Sequence, residues 1–222
     1  MQTKRTLIAV ALIALSVGAS QAQTRIFSID NRYFIPPENR PLIVTGYPLG
    51  SLVGNVATWG NITAGVFQLN QYVAAHYLNR AVCVEAGLPQ PFNQTVFYNL
   101  HYAEGRAGYV LQLAANPTTI DQAVGLQLAI WELENDVYWG RPANLYANTF
   151  RINSGYSPGA INYANYLLNN SAGRSAGYYY LIHYTNQAQD LLLVPVPEPA
   201  SLIALSAGCV SWLALRRRNR KR

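Results

Sequence analysis

The sequence predicts an α+β domain: a β-barrel or sandwich body with a helical subdomain, flanked by a signal peptide and a C-terminal helix. Short runs rich in β-branched and aromatic residues, bounded by glycine and proline, occur early in the chain and again after residue 175. Between them, residues 107–135 carry apolar side chains at helical spacing. The part between the two terminal segments, residues 23–194, has the length of one domain with a core of its own.

Extended segments are predicted in the first half of this domain. Residues 25–34 and 42–45 favour strands interrupted by nearby prolines. Residues 65–69 alternate in polarity and are bounded by glycine, which is typical of a strand. Residues 81–85, Ala-Val-Cys-Val-Glu, form a short β-favouring run ended by glycine and proline. Cys83 is therefore expected on a strand or at its end.

The middle of the chain is predicted to be helical. One helix covers residues 107–115 and ends at an Asn-Pro pair, and the next starts after Thr118 or Thr119 as N-cap and runs to about Asn135. A helix apolar over so much of its surface is a buried one. Gln127 lies within that apolar surface, where a side-chain amide needs hydrogen-bond partners. The apolar residues form two adjacent stripes: Leu126, Ile130, Leu133 and Val137, and Val124, Leu128 and Trp131.

The last part of the domain is predicted to hold a short helix and two strands. Ser157 followed by proline begins a helix that runs through Leu168, with proline in the first turn. Residues 177–184 and 189–194 are rich in tyrosine and leucine, which favours strands.

The N-terminus has the three parts of a secretory signal peptide. Lys4 and Arg5 are the charged region, Leu7 to Leu15 are apolar, and small residues precede the expected cleavage after Ala22. Residues 1–22 are therefore expected to direct export, leaving a mature chain from about Gln23.

The C-terminal segment, 195–222, combines a Pro-Glu-Pro box, an apolar run over 200–215 and a basic tail over 216–222. The apolar run is shorter than the roughly 20 residues of a full span, but flanking arginines can snorkel. Basic residues hold this end in the cytoplasm. The segment resembles the PEP-CTERM sorting signal. That resemblance implies an exosortase as partner, transient insertion into the inner membrane of a Gram-negative-type bacterium, and cleavage near Pro197, Glu198 and Pro199. The product is then secreted or at the cell surface; a plain tail anchor is the alternative.

The net charge of +6 comes from the two termini. Residues 23–194 hold eight arginines against nine carboxylates, so the domain is close to neutral and carries no nucleic-acid footprint. Its cysteine content is equally uneven, because Cys209 lies in the segment that sorting removes. Cys83 is then alone in an oxidising compartment, as a buried thiol, an interchain link or part of another bond.

Two motifs carry the chemistry: Val82-Cys83-Val84-Glu85 and the helical run Gly-Leu-Gln-Leu-Ala-Ile-Trp-Glu that contains Gln127. Together they resemble the paired motifs of bacterial thioester domains, although Ala-Val stands where the family often has an aromatic residue before the cysteine. The resemblance implies that the Cys83 thiol attacks the Gln127 amide, ammonia leaves and an internal thioester results. Ile130 and Trp131 would keep water from that bond.

The residues make a physical case for the same reaction. An amide is a poor acyl donor, so conversion requires a close and oriented thiolate, which a strand end and a rigid buried helix can supply. Lysine amines attack thioesters, and the only lysines are Lys4 and Lys221, outside the mature domain. Arginine-rich codon usage explains the absence of lysine equally well.

Other chemistry has weaker support. His76, His101 or His183 could pair with Cys83 in a hydrolase, although none lies in a peptidase motif. A cluster of acidic residues at the end of the long helix favours a solvated helix end over a cation site: Glu132, Glu134 and Asp136. No zinc-type cysteine spacing is present, and no metal or cofactor is expected.

The leading hypothesis is thus an exported adhesin-like module that captures an amine or hydroxyl on a partner surface or polysaccharide. Capture happens once per molecule, so the protein is not expected to be an enzyme. The second hypothesis is a non-covalent structural component of the exopolysaccharide or biofilm matrix, with Cys83 a buried thiol. The third is a cysteine hydrolase.

Overall fold

The computed structural model describes residues 40–73, 78–88, 90–183 and 188–195. The predicted signal peptide, the strand expected over 25–34 and the sorting segment from 196 onward lie outside these residues. In the described ranges, no helix has the length and apolarity needed to cross a membrane.

Six antiparallel strands of the described chain close into a barrel. The prediction of a barrel or sandwich is thereby narrowed to a barrel, whose closure leaves no free sheet edge. Around the barrel the strands follow the order β1 (Arg40–Gly46), β4 (Phe67–Val73), β5 (Leu78–Cys83), β9 (Leu191–Leu193), β8 (Ala176–His183) and β6 (Thr95–Gly105).

A small second sheet stands beside the barrel. It consists of β2 (Leu52–Val56), β3 (Gly60–Ala64) and β7 (Ile152–Ser154), with β2 in the centre. The turn between β2 and β3 is fastened to the chain before β7, since Ala57 N donates to Arg151 O at 2.8 Å.

The predicted helices are present, with small shifts at their ends. They are α1 (Arg106–Leu113), α2 (Ile120–Asn135) and α3 (Pro158–Asn170), with a 3-10 turn over Val137–Trp139. Thr119 is the N-cap of α2 and accepts from Gln122 N at 3.2 Å, and Ser157 caps α3, which has proline in its first turn. Residues 123–133 of α2 are all buried, as the two apolar stripes predict.

Gly125 sets the close contact between α2 and α3. A Cβ at this position would lie 2.6 Å from the backbone oxygen of Ala160, closer than real Cβ contacts allow. Only glycine permits this spacing, which holds α2 in place between α3 and the barrel.

Four strands were not predicted: β2, β3, β6 and β7. β6 spans eleven residues, and its asparagine, histidine and glutamate make it look polar. Its buried residues are Tyr98, Leu100 and Ala103, while the positions between them are only half-buried. β2, β3 and β7 escaped prediction because they are short and each buries only part of its surface.

Candidate functional site

Cys83 is the last residue of β5, as the sequence predicts. On one side, β5 pairs with β9: Val194 N donates to Arg80 O at 2.9 Å, and Val84 N donates to Asp190 O at 3.0 Å. Residues of an antiparallel strand bond alternately to its two neighbours. The N–H and C=O groups of Cys83 therefore point to the other side, toward β4.

On that side, β4 begins too late to pair with Cys83. Its first residue, Phe67, lies opposite Ala81, two residues before the cysteine. The side chain of Gln127 fills the place of the missing strand. Cys83 N donates to Gln127 Oε1 at 2.8 Å, and Gln127 Nε2 donates to Cys83 O at 2.7 Å.

These two hydrogen bonds fix the amide plane beside the cysteine. Both residues are buried, with Gln127 1% exposed and Cys83 1% exposed. The acyl carbon of the amide is thus held next to the residue that carries the thiol. The structure brings together the two residues that the sequence singled out, and the buried amide has the partners it needs.

Ile130 and Trp131 lie one helical turn after Gln127, on the same side of α2. Both are buried, as predicted. The Trp131 ring packs against Phe150 with ring centroids 5.9 Å apart, and Phe150 packs against Trp59 at 6.3 Å. Trp59 in turn lies against Gly87, where a Cβ would be 2.3 Å from the indole Cδ1.

These three rings form an aromatic cover, defined here as Trp59, Trp131 and Phe150. It extends from the helical turn after Gln127 to the segment after Cys83. Sequence reasoning identified only Trp131. Trp59 and Phe150 come from a short turn and an irregular loop, where apolar spacing has no period to detect.

The loop that carries Phe150 is fastened to α2 by two buried carboxylates. Asp136 Oδ2 accepts from Phe150 N at 2.8 Å, and Asp136 Oδ1 accepts from Thr149 N at 2.9 Å. Glu132 Oε1 accepts from Asn144 N at 2.7 Å. The interpretation of these acidic residues as a solvated helix end was therefore wrong for Glu132 and Asp136. Within the described residues, no three or more histidine, cysteine, aspartate or glutamate side chains are grouped so that they could bind a metal ion.

The electrostatic surroundings keep the Cys83 thiol protonated. Burial raises its pKa well above the ordinary value, and the nearby Glu85 carboxylate raises it further. A thiol in this state is a weak nucleophile. Attack on an amide therefore requires a group that takes the thiol proton.

A group of polar side chains, three of them buried and Glu85 partly exposed, lies at the end of the barrel that carries Cys83. We call it the barrel-end cluster, and it consists of Glu85, Tyr98, His183 and Asp190. His183 Nδ1 and Asp190 Oδ1 are 2.7 Å apart, and Asp190 N donates to Glu85 Oε2 at 2.9 Å. Tyr98 lies directly opposite His183 in the ladder between β6 and β8.

The histidines considered with Cys83 thus have different positions. His183 belongs to the barrel-end cluster. His101 lies on the opposite face of β6 from Tyr98 and stacks on Tyr180 with ring centroids 5.2 Å apart. His76 lies outside the described residues.

Comparisons with protein-family models, with characterised proteins and with solved structures found no match to this chain. The fold and the site define an α+β barrel domain with a buried cysteine and glutamine paired through the cysteine backbone. Function is therefore inferred from that pair and its surroundings.

Proposed function

We propose that this protein is an exported, surface-sorted adhesin-like module in which Cys83 and Gln127 form an internal thioester. The thioester captures one amine or hydroxyl on a partner surface or polysaccharide. The observation that carries the proposal is the pair of hydrogen bonds, at 2.8 and 2.7 Å, that holds the Gln127 amide against Cys83.

The geometry supports bond formation by removing freedom from the reactants. The amide cannot rotate away, and the thiol belongs to the residue whose backbone holds it. Such orientation is worth about 7–11 kcal/mol in well-placed intramolecular reactions. The Cys83 sulfur bonds to the Gln127 acyl carbon, the bond to Nε2 breaks, and that nitrogen leaves as ammonia with the thiol proton.

In the capture step, the Cys83 sulfur is the leaving group, whereas in thioester formation it is the nucleophile. A partner amine or hydroxyl attacks the acyl carbon, a new amide or ester forms, and Cys83 leaves as a thiol. Each molecule reacts once, so this is stoichiometric bonding and not enzymatic turnover. The domain between the terminal segments contains no lysine, which protects it from capture by its own chain or by neighbouring copies.

The aromatic cover supports the same proposal. A thioester hydrolyses when water reaches it, and the rings of the aromatic cover extend from the helical turn after Gln127 to the segment after Cys83. Export is the second half of the proposal and depends on the terminal segments. Residues 1–22 act as signal peptide, and an exosortase cleaves near Pro197, Glu198 and Pro199 after transient insertion of 200–215.

A second function is favoured by one specific observation. The two hydrogen bonds give both polar atoms of the Gln127 amide a partner without any covalent chemistry, so Gln127 also serves as a clamp where β4 leaves Cys83 unpaired. Under this reading the protein is a non-covalent structural component of the exopolysaccharide or biofilm matrix.

The mass of the purified protein separates the two functions. Terminal peptides define the ends of the chain, and the intact mass is then compared with that sequence before and after methylamine treatment. We expect a mass lower by one ammonia, replaced by a methylamine adduct on Gln127. Cys83→Ala should abolish both changes. Gln112→Glu, an exposed glutamine on α1, is the matched control and should leave both intact.

An unmodified mass with a titratable Cys83 thiol would overturn the thioester. The clamp, and with it the matrix component, would then be the better account. Repeated hydrolysis of an ester substrate would instead favour a cysteine hydrolase.

A further inference from the structure

His183 and Asp190 form a buried, hydrogen-bonded pair at the same end of the barrel as Cys83. His183 Nδ1 lies 2.7 Å from Asp190 Oδ1, with the two side chains 4% and 0% exposed. The same oxygen accepts from His183 N at 3.1 Å. One carboxylate thus fixes the backbone and the ring of the histidine, and it favours the tautomer with a proton on Nδ1 and a lone pair on Nε2.

The backbone of this pair is fastened to the chain immediately after the cysteine. Val84 N donates to Asp190 O at 3.0 Å, and Asp190 N donates to Glu85 Oε2 at 2.9 Å. Leu191, which follows Asp190, is the β9 residue opposite Cys83. Displacement of either partner of the pair would therefore move the strand end that carries the thiol.

Cys83 lies opposite Leu191, and Leu191 lies opposite Leu181, two residues before His183, so Cys83 and His183 share one face of the barrel wall. Tyr98 shares that face. It lies opposite His183 in the ladder, where Cβ atoms of facing residues are about 4.5–5.5 Å apart. Its phenol has a pKa raised by burial and by the nearby charges of Cys83, Asp190 and Glu85, while a hydrogen bond from Gln90 acts in the opposite direction. By the strand register, the Tyr98 phenol, the Cys83 thiol and the His183 ring lie on the same face of the barrel wall.

We infer that His183, held by Asp190, carries the proton in the reaction between Cys83 and Gln127, with the Tyr98 hydroxyl as the bridge. The inference rests on the proposed function. As the sulfur bonds to the acyl carbon, the thiol proton passes to His183 Nε2. It then passes to the departing nitrogen of Gln127, so the products are the thioester and neutral ammonia. During capture, the proton of the incoming amine takes the reverse route to the Cys83 sulfur.

The roles within the cluster differ. His183 transfers the proton, and Asp190 is a positioning residue that sets the ring and its tautomer. General acid and base groups of this kind contribute about 10²- to 10⁴-fold to a rate. A purely structural pair that ties β8 to β9 would also slow the reaction, by moving the strand end that carries the thiol, but added imidazole would not restore the rate.

The first test uses the whole protein and three variants. In His183→Gln and Asp190→Asn we expect methylamine uptake, followed by mass, to slow about 100-fold or more, or the ammonia to be retained on Gln127. His101→Gln is the matched control. It removes the same type of side chain, but His101 lies on the face of β6 opposite to Tyr98 and so points away from His183. It should react like the unaltered protein. Urea unfolding of each variant shows that it is folded.

Chemical rescue separates proton transfer from packing. In His183→Ala, purified and folded with Gln127 unreacted, added imidazole should restore the loss of one ammonia. Unaltered reaction of His183→Gln would overturn the inference, and so would a slowed, folded His183→Ala that imidazole does not rescue. A wild-type protein without thioester is a distinct result, because it removes the proposed function first.

Discussion

The Gln127 side-chain amide bonds to both backbone groups of Cys83, in the place that a neighbouring strand would otherwise take. The distances are 2.8 and 2.7 Å, and the residues are 44 positions apart in the chain. A helix thereby completes the hydrogen bonding of a barrel strand. The same contact positions an acyl carbon next to the residue that carries the thiol. One pair of residues therefore both completes the strand's hydrogen bonding and brings the two reacting groups together.

Gln127→Glu should destabilise the fold and abolish ammonia loss. A carboxylate cannot donate to the Cys83 carbonyl oxygen, which leaves that oxygen unpaired and buries an acidic group. In a Cys83→Ala background, which keeps the Gln127 amide, we expect Gln127→Glu to lower the free energy of unfolding by about 2–4 kcal/mol in urea titrations. The exposed Gln112→Glu control should change it by less than about 0.5 kcal/mol. Unchanged stability of Gln127→Glu would show that the two hydrogen bonds are not maintained in solution.

A thioester between Cys83 and Gln127 should stabilise the protein as a cross-link. Closing a chain segment of 44 positions reduces the entropy of the unfolded state, which is worth about 4 kcal/mol by the loop-closure relation for disulfides. Methylamine treatment cuts the cross-link without changing the sequence. Urea midpoints before and after treatment should therefore differ in the unaltered protein. In Cys83→Ala the two midpoints should coincide.

Gly125→Ala should separate α2 from α3. Alanine raises helix propensity by about 1 kcal/mol, but its Cβ would lie 2.6 Å from the backbone oxygen of Ala160. Overpacking against a backbone costs about 1–3 kcal/mol, so a net loss of stability is expected. Hydrogen exchange at the Cys83 amide should become faster, because α2 carries its acceptor. A gain in stability near the propensity value would contradict the close packing.

Gly87→Ala should loosen the aromatic cover. Its Cβ would meet the Trp59 indole at 2.3 Å, so the ring must move, whereas Gly105→Ala would meet Tyr178 at an ordinary 3.7 Å. In methylamine-treated or thioester-free protein, Cys83 should react with a small maleimide about tenfold faster in the first variant, equivalent to about 1.4 kcal/mol of easier opening. Equal rates in the two variants would show that Trp59 does not limit access.

Glu132 should make stability fall as the pH rises. Burial raises its pKa to about 7, with the charge of Asp136 acting in the same direction and the hydrogen bond from Asn144 opposing it. The folded state therefore binds a proton that the unfolded state releases above about 4.3. This contribution is complete at low pH and is lost as the pH rises through 7. After allowance for solvent screening it amounts to about 1–2 kcal/mol.

Glu132→Gln removes this titration while keeping an oxygen for Asn144 N. Urea midpoints of the variant and the unaltered protein should converge near pH 5 and separate at pH 8, with the variant more stable. A constant difference across that range would mean that Glu132 does not titrate with a raised pKa.

Local signals in the sequence predicted the parts of the fold that depend on neighbouring residues. The N-cap at Thr119 forms as expected, and the helix predicted to start at Ser157 is capped by that residue, because an N-cap hydroxyl lies within reach of the amide three residues later. The end of β5 at Cys83 and the burial of Gln127 also follow from short patterns. β6 was missed because its half-buried face carries polar residues, so its pattern did not register as a strand.

The aromatic cover and the barrel-end cluster could not be predicted, because they join distant residues. Thr58 Oγ1, next to Trp59, donates to Thr149 O at 2.8 Å across 91 positions of the chain, and Glu85 reaches Asp190 across 105. Neither contact has a periodic or local sequence signal. The first contact forms where β2 and β7 pair in the small sheet, and the second forms where β5 and β9 pair in the barrel.

The sequence by itself determined a buried helix with one amide in its apolar surface and a strand that ends at a lone cysteine. Only the tertiary structure decided that the amide meets the cysteine backbone. It does so because β4 starts at Phe67, opposite Ala81, and leaves the N–H and C=O of Cys83 without a strand partner. Buried backbone groups require partners, and α2 is packed where Gln127 can supply them.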